Sequence, residues 1–216
     1  MIITFATQKG GTGKTTLAIA FANYISVNSK RKVNVFDFDF QKSFYHKWKE
    51  DELLDIPKLY DVEIIDEENE QPFSDFETLI ELKESEEINI FDLAGTLDVK
   101  YSDLLIYSDF IVIPFEYSNV SAKSTLVFIN FLGLLESQAE RVFIRSKYDK
   151  GYKYLNQEGM DAEISRYGLL LKNPVFKRNC LQILDTRKLT NHQRYAVEKS
   201  FNELIDHINK CLEITL

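Results

Sequence analysis

The sequence has 216 residues, of which 44% are hydrophobic, and its net charge is −8. This length suits one α/β fold unit with a substantial core, so we expect a single domain over residues 1–216. The negative charge argues against wholesale wrapping of nucleic acid, and the apolar runs fall short of the ~20 residues that a membrane helix needs.

The two cysteines and the first residues predict a reduced, cytoplasmic protein. Cys180 and Cys211 lie far apart in the sequence and have no Cys-x-x-Cys spacing, so we expect two free thiols. No basic, apolar and cleavage-site pattern of a signal peptide precedes the first strand.

Strands and helices are predicted to alternate along the chain. Apolar runs predict strands at Ile2–Ala6, Val33–Asp39, Ile88–Asp92, Phe110–Pro114 and Arg141–Ile144, an edge strand at Asp61–Ile65 and an extended segment at Leu169–Phe176. Helices are predicted at Lys14–Ser29, Ser43–Leu54, Val99–Tyr107, Ser121–Leu135, Asn156–Tyr167 and Tyr195–Leu212, with Ser43 as the N-cap of the second. A further helix is predicted from Pro72 or Ser74 to Glu86, after a charged loop at Asp66–Gln71. This order predicts a doubly wound, mostly parallel sheet with helices on both faces.

The stretch Gln8–Thr16 has the pattern of a phosphate-binding loop, because a strand precedes its glycines and a helix follows them. Glycines let backbone N–H groups converge on phosphate oxygens, and the following helix directs its positive dipole end at the same anion. Lys14 is expected to reach the β- and γ-phosphates, and the Thr15 hydroxyl to coordinate Mg²⁺. The stretch predicts a nucleotide-binding protein.

The loop resembles the deviant phosphate loop of the ParA/MinD family of ATPases. The resemblance lies in Lys9, Gly10, Gly11, Thr12, Gly13, Lys14, Thr15 and Thr16, where Lys9 stands in place of the first glycine of the ordinary pattern. It implies a single P-loop ATPase domain of the SIMIBI/MinD-like type that binds ATP and Mg²⁺. It also implies a homodimer in which Lys9 contacts the phosphates bound by the partner copy.

Two later stretches resemble the switches of the same family. Residues 37–43 resemble the first switch, which implies that Asp39 lies near Mg²⁺ and orients the attacking water. Phe40 replaces the usual proline of this switch, so a weak or inactive ATPase remains an alternative. Residues 90–95 resemble the second switch, which implies that Asp92 holds a Mg²⁺-bound water and that the Gly95 N–H contacts the γ-phosphate. For Asp37 a structural role and a role in the site are both open.

The resemblance also implies a base pocket and a surface for DNA. Ser146, Lys147 and Lys177 stand where the family borders the adenine. Residues 141–199 hold 13 basic and 6 acidic residues, whereas residues 50–109 hold 3 basic and 20 acidic ones, which indicates one face for polyanions or simply a solvated surface of both signs. The candidate DNA contacts are Lys172, Lys177, Arg178, Arg187, Lys188 and Arg194.

The family includes several classes of function, and the sequence favours one of them. A short ParA-like partition ATPase of a plasmid or conjugative element would dimerise with ATP on non-specific DNA, associate with the nucleoid and be released by a ParB-like or other adaptor. The alternatives are a dethiobiotin-synthetase-like ligase and a MinD-like positioning regulator. The mixed charge of the last helix argues against membrane binding, and the cysteine spacing argues against an iron protein.

Overall fold

The computed structural model describes residues 1–64, 76–155 and 157–216. In this part of the chain, seven strands form one sheet in the order β3-β2-β4-β1-β5-β6-β7, and all neighbours pair in parallel. The strands are β1 (Ile2–Phe5), β2 (Val33–Phe38), β3 (Asp61–Ile64), β4 (Ile88–Leu93), β5 (Phe110–Phe115), β6 (Glu140–Arg145) and β7 (Leu169–Leu170). The doubly wound parallel sheet is confirmed.

Helices separate the strands and cover both faces of the sheet. They are α1 (Lys14–Asn28), α2 (Ser43–Glu50), α3 (Phe76–Glu84), α4 (Ser102–Tyr107), α5 (Asn119–Leu134), α6 (Gln157–Ile164) and α7 (Asn191–Leu212). Short 3₁₀ turns at Asp51–Leu54, Val99–Tyr101 and Asn179–Leu181 join some of these elements.

Each face of the sheet carries its own hydrophobic core. On one face, α1 and α7 pack together through Phe21 and Phe201, whose rings meet edge to face at 5.2 Å. On the other face, Phe128 of α5 packs with the residues of β4, β5 and β6 that point the same way. The central strands are buried on both faces, which explains why their sequences lack polar alternation.

The apolar face predicted for the last helix covers the sheet. Val197, Phe201, Leu204 and Ile208 are buried, and Ile205 and Leu212 pack against the same core. No helix in the described part of the chain is both long and apolar enough to cross a membrane.

Several predicted boundaries were wrong at helix ends. Ser43 is the first residue of α2 rather than its cap, because Lys42 occupies the N-cap position with φ of 47°. The helix ends at Glu50, and the 3₁₀ turn Asp51–Leu54 completes the predicted span. The last helix begins at Asn191 instead of Tyr195, because Thr190 and Gln193 form a capping box.

Other predictions held in part or lie outside the described residues. The extended segment Leu169–Phe176 contains only the two-residue strand β7, followed by an isolated bridge between Phe176 and Tyr148. The charged loop at 66–71 and the proposed helix starts at 72 and 74 lie outside the described residues, as does residue 156. The helix after residue 156 ends at Ile164 rather than Tyr167.

The sheet brings the predicted site residues to one edge. Asp92 near the end of β4 pairs with Phe5 at the end of β1 and with Asp37 in β2. The phosphate loop follows β1, and the first switch follows β2. Ligands of open α/β sheets bind beyond the carboxyl ends of the strands, and these three segments meet there.

Candidate functional site

The phosphate loop lines an open cavity of about 490 Å³ at this edge of the sheet. Gly11 and Gly13 have φ of 81° and 84°, a conformation that residues with a Cβ rarely adopt. The first turn of α1, which begins at Lys14, contains no acidic residue. The positive end of the helix dipole therefore faces the cavity with no acidic residue in its own first turn to offset it. All eight predicted loop residues line the cavity: Lys9, Gly10, Gly11, Thr12, Gly13, Lys14, Thr15 and Thr16.

Lys14 lies at the floor of this cavity and contacts two carboxylates. Its Nζ is 2.5 Å from Asp92 Oδ1 and 3.5 Å from Asp39 Oδ2. Burial raises the pKa of Asp92, and the Lys14 ammonium opposes that rise. The structure thus joins the lysine of the loop to one acidic residue from each switch.

The oxygen atoms around Lys14 are suited to Mg²⁺. The second carboxylate oxygen of Asp92, Oδ2, is buried and has no hydrogen-bond partner among the described residues. The Thr15 hydroxyl is 3.4 Å from Lys14 Nζ, and Asp39 also lines the cavity. Hard oxygen donors are the ligands that Mg²⁺ prefers, and a buried carboxylate oxygen without a partner is costly unless a cation or water satisfies it. Thr15, Asp39 and Asp92 therefore fit the metal-binding role predicted for them.

Asp37 holds the backbone of the first switch. Its Oδ1 accepts a hydrogen bond from the Asp39 N–H at 3.0 Å, and its Oδ2 accepts one from the Tyr45 N–H at 2.9 Å. Burial raises the pKa of Asp37 to about 6, while these two hydrogen bonds and Lys14 oppose the rise. The structure gives Asp37 a positioning role, because its carboxylate fixes both the start of the switch and the beginning of α2.

Gly95 lies against the phosphate loop. A Cβ added to Gly95 would be 3.4 Å from the Gly10 nitrogen and 3.5 Å from the Gln8 carbonyl oxygen. A Cβ at this position would make van der Waals contact with the backbone of the loop. The glycine predicted to contact the γ-phosphate therefore borders the cavity at its mouth.

Lys9 and Lys14 differ in position although they belong to the same loop. Lys14 is almost buried, whereas Lys9 lies at the rim of the cavity, where its Nζ donates a 3.4 Å hydrogen bond to the Ser118 hydroxyl in an exposed position. The Lys9 ammonium can therefore leave this contact at little cost.

Phe40 of the first switch is exposed and contacts the segment that follows the second switch. Its side chain is 55% exposed, and the Lys100 Nζ lies 4.0 Å from the ring centroid. The sequence resemblance marked Phe40 as a departure from the family pattern, and the structure shows that this departure adds a cation–π contact between the two switch regions.

A second cavity of about 490 Å³ adjoins the phosphate loop, and it includes the three residues predicted for the base. Ser146, Lys147 and Lys177 all line it together with Gly13. Lys147 donates a hydrogen bond to the Gly11 carbonyl and lies 3.3 Å from Glu116. Through the contact with Gly11, Lys147 links the wall of this cavity to the phosphate loop.

Aromatic residues that sequence reasoning missed also line this second cavity. Tyr152, Tyr154 and Phe176 contribute rings to it, and the Tyr152 and Tyr154 centroids are 4.9 Å apart. Aromatic faces stack well on nucleobases. Three tyrosines within residues 148–154 were the available sequence signal.

The six candidate DNA contacts do not share one environment. Arg187 is 5% exposed, donates hydrogen bonds to the Trp48 and Asp51 carbonyls and stacks on the Trp48 ring. The prediction of a DNA contact at Arg187 was therefore wrong, because its charge is used inside the fold. Arg194 donates a hydrogen bond to Asn28 and lies over the Tyr24 ring. The remaining four, Lys172, Lys177, Arg178 and Lys188, are exposed.

A small basic cleft next to the base cavity contains two cations that were not among the predicted DNA contacts. The cleft of about 230 Å³ is lined by Lys150 and Lys199 together with Arg178. Phe176 and Tyr195 add aromatic surface to it. The three cations give this cleft a strongly basic surface.

A family profile described as the CobQ/CobB/MinD/ParA nucleotide binding domain matches residues 3–189. No curated protein matches the chain.

Solved structures with this fold cover nearly the whole chain. One is a protein described as a plasmid partition protein (BB_S35) from Borrelia burgdorferi B31, bound to AMPPNP, with 22% identity, a TM-score of 0.74 and coverage of 97% of this chain and 98% of that one. Another is pNOB8 ParA bound to nonspecific DNA, with 14% identity, a TM-score of 0.57 and coverage of 93% and 98%. A third is cobyrinic acid a,c-diamide synthase from Mycobacterium smegmatis with bound ADP and magnesium, with 14% identity, a TM-score of 0.65 and coverage of 99% and 97%. At these identities the similarity establishes a common fold.

Proposed function

Because the chain belongs to the CobQ/CobB/MinD/ParA nucleotide-binding domain family, we propose that it is a ParA-like ATPase. ATP and Mg²⁺ would bring two copies together face to face, and this dimer would bind DNA without sequence preference in the cytoplasm. A ParB-like or other adaptor would then stimulate hydrolysis and release the DNA. The biological role proposed for this cycle is partition or maintenance of a plasmid or other mobile element.

The position of Lys9 supports this proposal more than any other observation. Lys14 already supplies a cation at the floor of the cavity, and Lys9 places a second one at its open rim. A rim lysine whose contact is an exposed 3.4 Å hydrogen bond to Ser118 can turn outward at little cost. An outward lysine beside a triphosphate has a function if a second copy faces the same rim.

The residues around the cavity have distinct roles in the proposed ATPase. Lys14 would bind the β- and γ-phosphates once it leaves the carboxylates, and Asp39 would orient the water that attacks the γ-phosphate. Thr15, Asp39 and Asp92 would hold Mg²⁺, which supplies positive charge to the phosphate oxygens. The Gly95 N–H would contact the γ-phosphate, so the second switch could respond to its loss.

The proposed DNA contact rests on the basic surface around residues 150–199. Exposed cations line the cleft next to the base cavity, and lysine and arginine neutralise phosphates without reading the base sequence. A related structure with the same fold is bound to nonspecific DNA.

The decisive experiment compares Lys9→Ala with Lys30→Ala, a control at an exposed lysine between α1 and β2. Mass would be measured by light scattering with ATP and Mg²⁺ and again with ADP. We expect the wild-type protein and Lys30→Ala to double in mass with ATP only, and Lys9→Ala to bind ATP but remain a monomer. Equal masses of the wild-type protein in ATP and ADP would refute the dimer mechanism.

One observation favours a second candidate, an ATP-dependent small-molecule ligase. A cavity of about 720 Å³ lies beside Tyr117, Ser118 and Lys153, and Ser118 is the residue that contacts Lys9. Such a cavity could hold an acid substrate near the phosphates. Product formation without DNA would support the ligase, whereas salt-sensitive retention on DNA that requires ATP would support the ParA-like ATPase.

A further inference from the structure

Three side chains of different chemistry meet at the edge of the sheet opposite the nucleotide cavity. Glu140 is the first residue of β6, and His207 and Cys211 are one turn apart near the end of α7. We propose that Glu140, His207 and Cys211 bind one Zn²⁺-like transition-metal ion. This site is independent of the proposed ATPase function.

The distances between the three donors already approach those of a tetrahedral metal site. His207 Nε2 is 3.6 Å from Glu140 Oε2 and 3.6 Å from Cys211 Sγ. One donor atom from each of the three residues lies within 4.8 Å of the others. Zinc bonds of about 2.0–2.3 Å at tetrahedral angles place neighbouring ligand atoms about 3.5 Å apart. A small movement of Cys211 and Glu140 toward the ion would complete the geometry.

The donor set selects the class of metal. A thiolate and an imidazole prefer Zn²⁺ and similar transition metals, whereas Mg²⁺ and Ca²⁺ prefer oxygen ligands. The thiolate and the carboxylate would together balance the charge of a divalent ion. Three protein ligands leave one position for water or another ligand.

The surroundings of the three residues support binding of a cation. Cys211 lies in the last turn of α7, which ends at Leu212, and the negative end of the helix dipole attracts positive charge. The His207 ring packs edge to face against Phe110 with centroids 6.1 Å apart, so one side of the imidazole is held by the core. Lys210 is the cation next to Cys211 in the sequence, and it opposes binding.

The topology separates this site from the nucleotide site. Glu140 begins its strand, and the phosphate loop follows the carboxyl end of a parallel strand. The metal would therefore connect the end of α7 to the beginning of β6 without contacting the phosphates. We expect ATP and Mg²⁺ to leave metal binding unchanged.

Titration of the full chain with Co²⁺, without nucleotide, tests the proposal. Cobalt bound to a thiolate gives a sulfur-to-metal charge-transfer band, and Zn²⁺ should remove this band by displacement. We expect one equivalent of Co²⁺ to produce the band in the wild-type protein and in Cys180→Ser, the matched control at the other cysteine. Cys211→Ser should abolish the band.

Affinity for Zn²⁺, measured by competition with a chromophoric chelator, tests the other two ligands. Removal of a residue that only hydrogen-bonds a metal ligand weakens metal binding by about 10–100-fold. His207→Ala removes a ligand itself, so it should weaken Zn²⁺ binding at least as much. Glu140→Gln should also weaken it. Absence of the cobalt band in the wild-type protein, its persistence in Cys211→Ser, or unchanged zinc affinity in both His207→Ala and Glu140→Gln would overturn the proposal.

Discussion

The phosphate loop and the basic segment 172–194 were both predicted to bind anions, but their residues differ in how they are placed in the structure. In residues 9–16, every predicted residue lines one cavity. In the basic segment, Arg187 is buried and donates hydrogen bonds to two carbonyls, whereas the next residue, Lys188, is exposed. Both cations were predicted as DNA contacts from the basic composition of the segment, but Arg187 stabilises the fold and Lys188 is exposed to solvent.

The difference arises from how each region fixes the positions of its side chains. The loop is short, its glycines adopt defined left-handed conformations, and a strand and a helix hold its two ends. The basic segment follows the last strand and has little regular structure before α7. Positions there depend on tertiary contacts, such as the one between Arg187 and Trp48, which composition does not reveal.

The largest expected effect comes from the buried pair of Lys14 in the phosphate loop and Asp92 in β4. Lys14→Met leaves Asp92 as an unpaired carboxylate with a fully buried side chain, and loss of one partner of a buried pair costs about 3–5 kcal/mol. We expect the free energy of unfolding, measured in urea without nucleotide, to fall by about this amount at neutral pH. Nucleotide binding should be lost as well.

The double variant Lys14→Met, Asp92→Asn serves as the control for this cost. Because it removes both charges, it should recover most of the lost stability while still failing to bind ATP. If the double variant were as unstable as Lys14→Met, the pair would not be the reason for the loss.

Arg187 should affect stability much more than its neighbour Lys188. Arg187→Ala leaves the carbonyls of Trp48 and Asp51 without their donor and removes the cation–π contact. Hydrogen bonds from charged groups are worth about 1.5–3 kcal/mol each, so we expect a loss of about 3 kcal/mol in the free energy of unfolding. Lys188→Ala should change it by less than about 0.5 kcal/mol. Equal effects would show that Arg187 is not a structural residue.

Asp37 should make stability depend on pH. Burial raises the pKa of Asp37 from its ordinary value of 3.8 to about 6 in the folded protein, so the folded state binds more protons than the unfolded state between these values. The free energy of unfolding should therefore fall as the pH rises from about 4 to about 6, by roughly 2 kcal/mol, since one pKa unit corresponds to about 1.4 kcal/mol.

Urea unfolding of the wild-type protein and Asp37→Asn, in the absence of nucleotide and Mg²⁺, would measure this dependence. The variant should lack the decrease between pH 4 and 6. A parallel pH profile in both proteins would assign the decrease to other groups.

The sequence predicted the sheet and the loop well because their signals are local. Buried parallel strands are continuous apolar runs, and the loop has fixed spacing. The prediction of Ser43 as the N-cap of α2 was wrong, because Lys42 adopts a left-handed conformation and occupies that position. The start of α7 was predicted too late, because the capping box at Thr190 lies outside the apolar pattern. The cleft formed by Lys150, Arg178 and Lys199 joins residues from distant parts of the sequence, so composition alone could not show it.

The smallest effect on stability is expected for Lys199→Ala, and the salt dependence of DNA binding by this variant tests whether the cleft contacts DNA. Lys199→Ala should leave the free energy of unfolding within about 0.5 kcal/mol of wild type, because the side chain is exposed. If the cleft contacts DNA, the slope of log affinity against log salt should become less steep by about 0.9 for the lost phosphate contact. Filter binding of a random duplex with ATP, repeated at several salt concentrations, measures that slope. The control Lys30→Ala should keep the wild-type slope. If Lys172→Ala and Lys188→Ala made the slope less steep while Lys199→Ala did not, the DNA would lie along the exposed residues of the segment 172–194 rather than over the cleft.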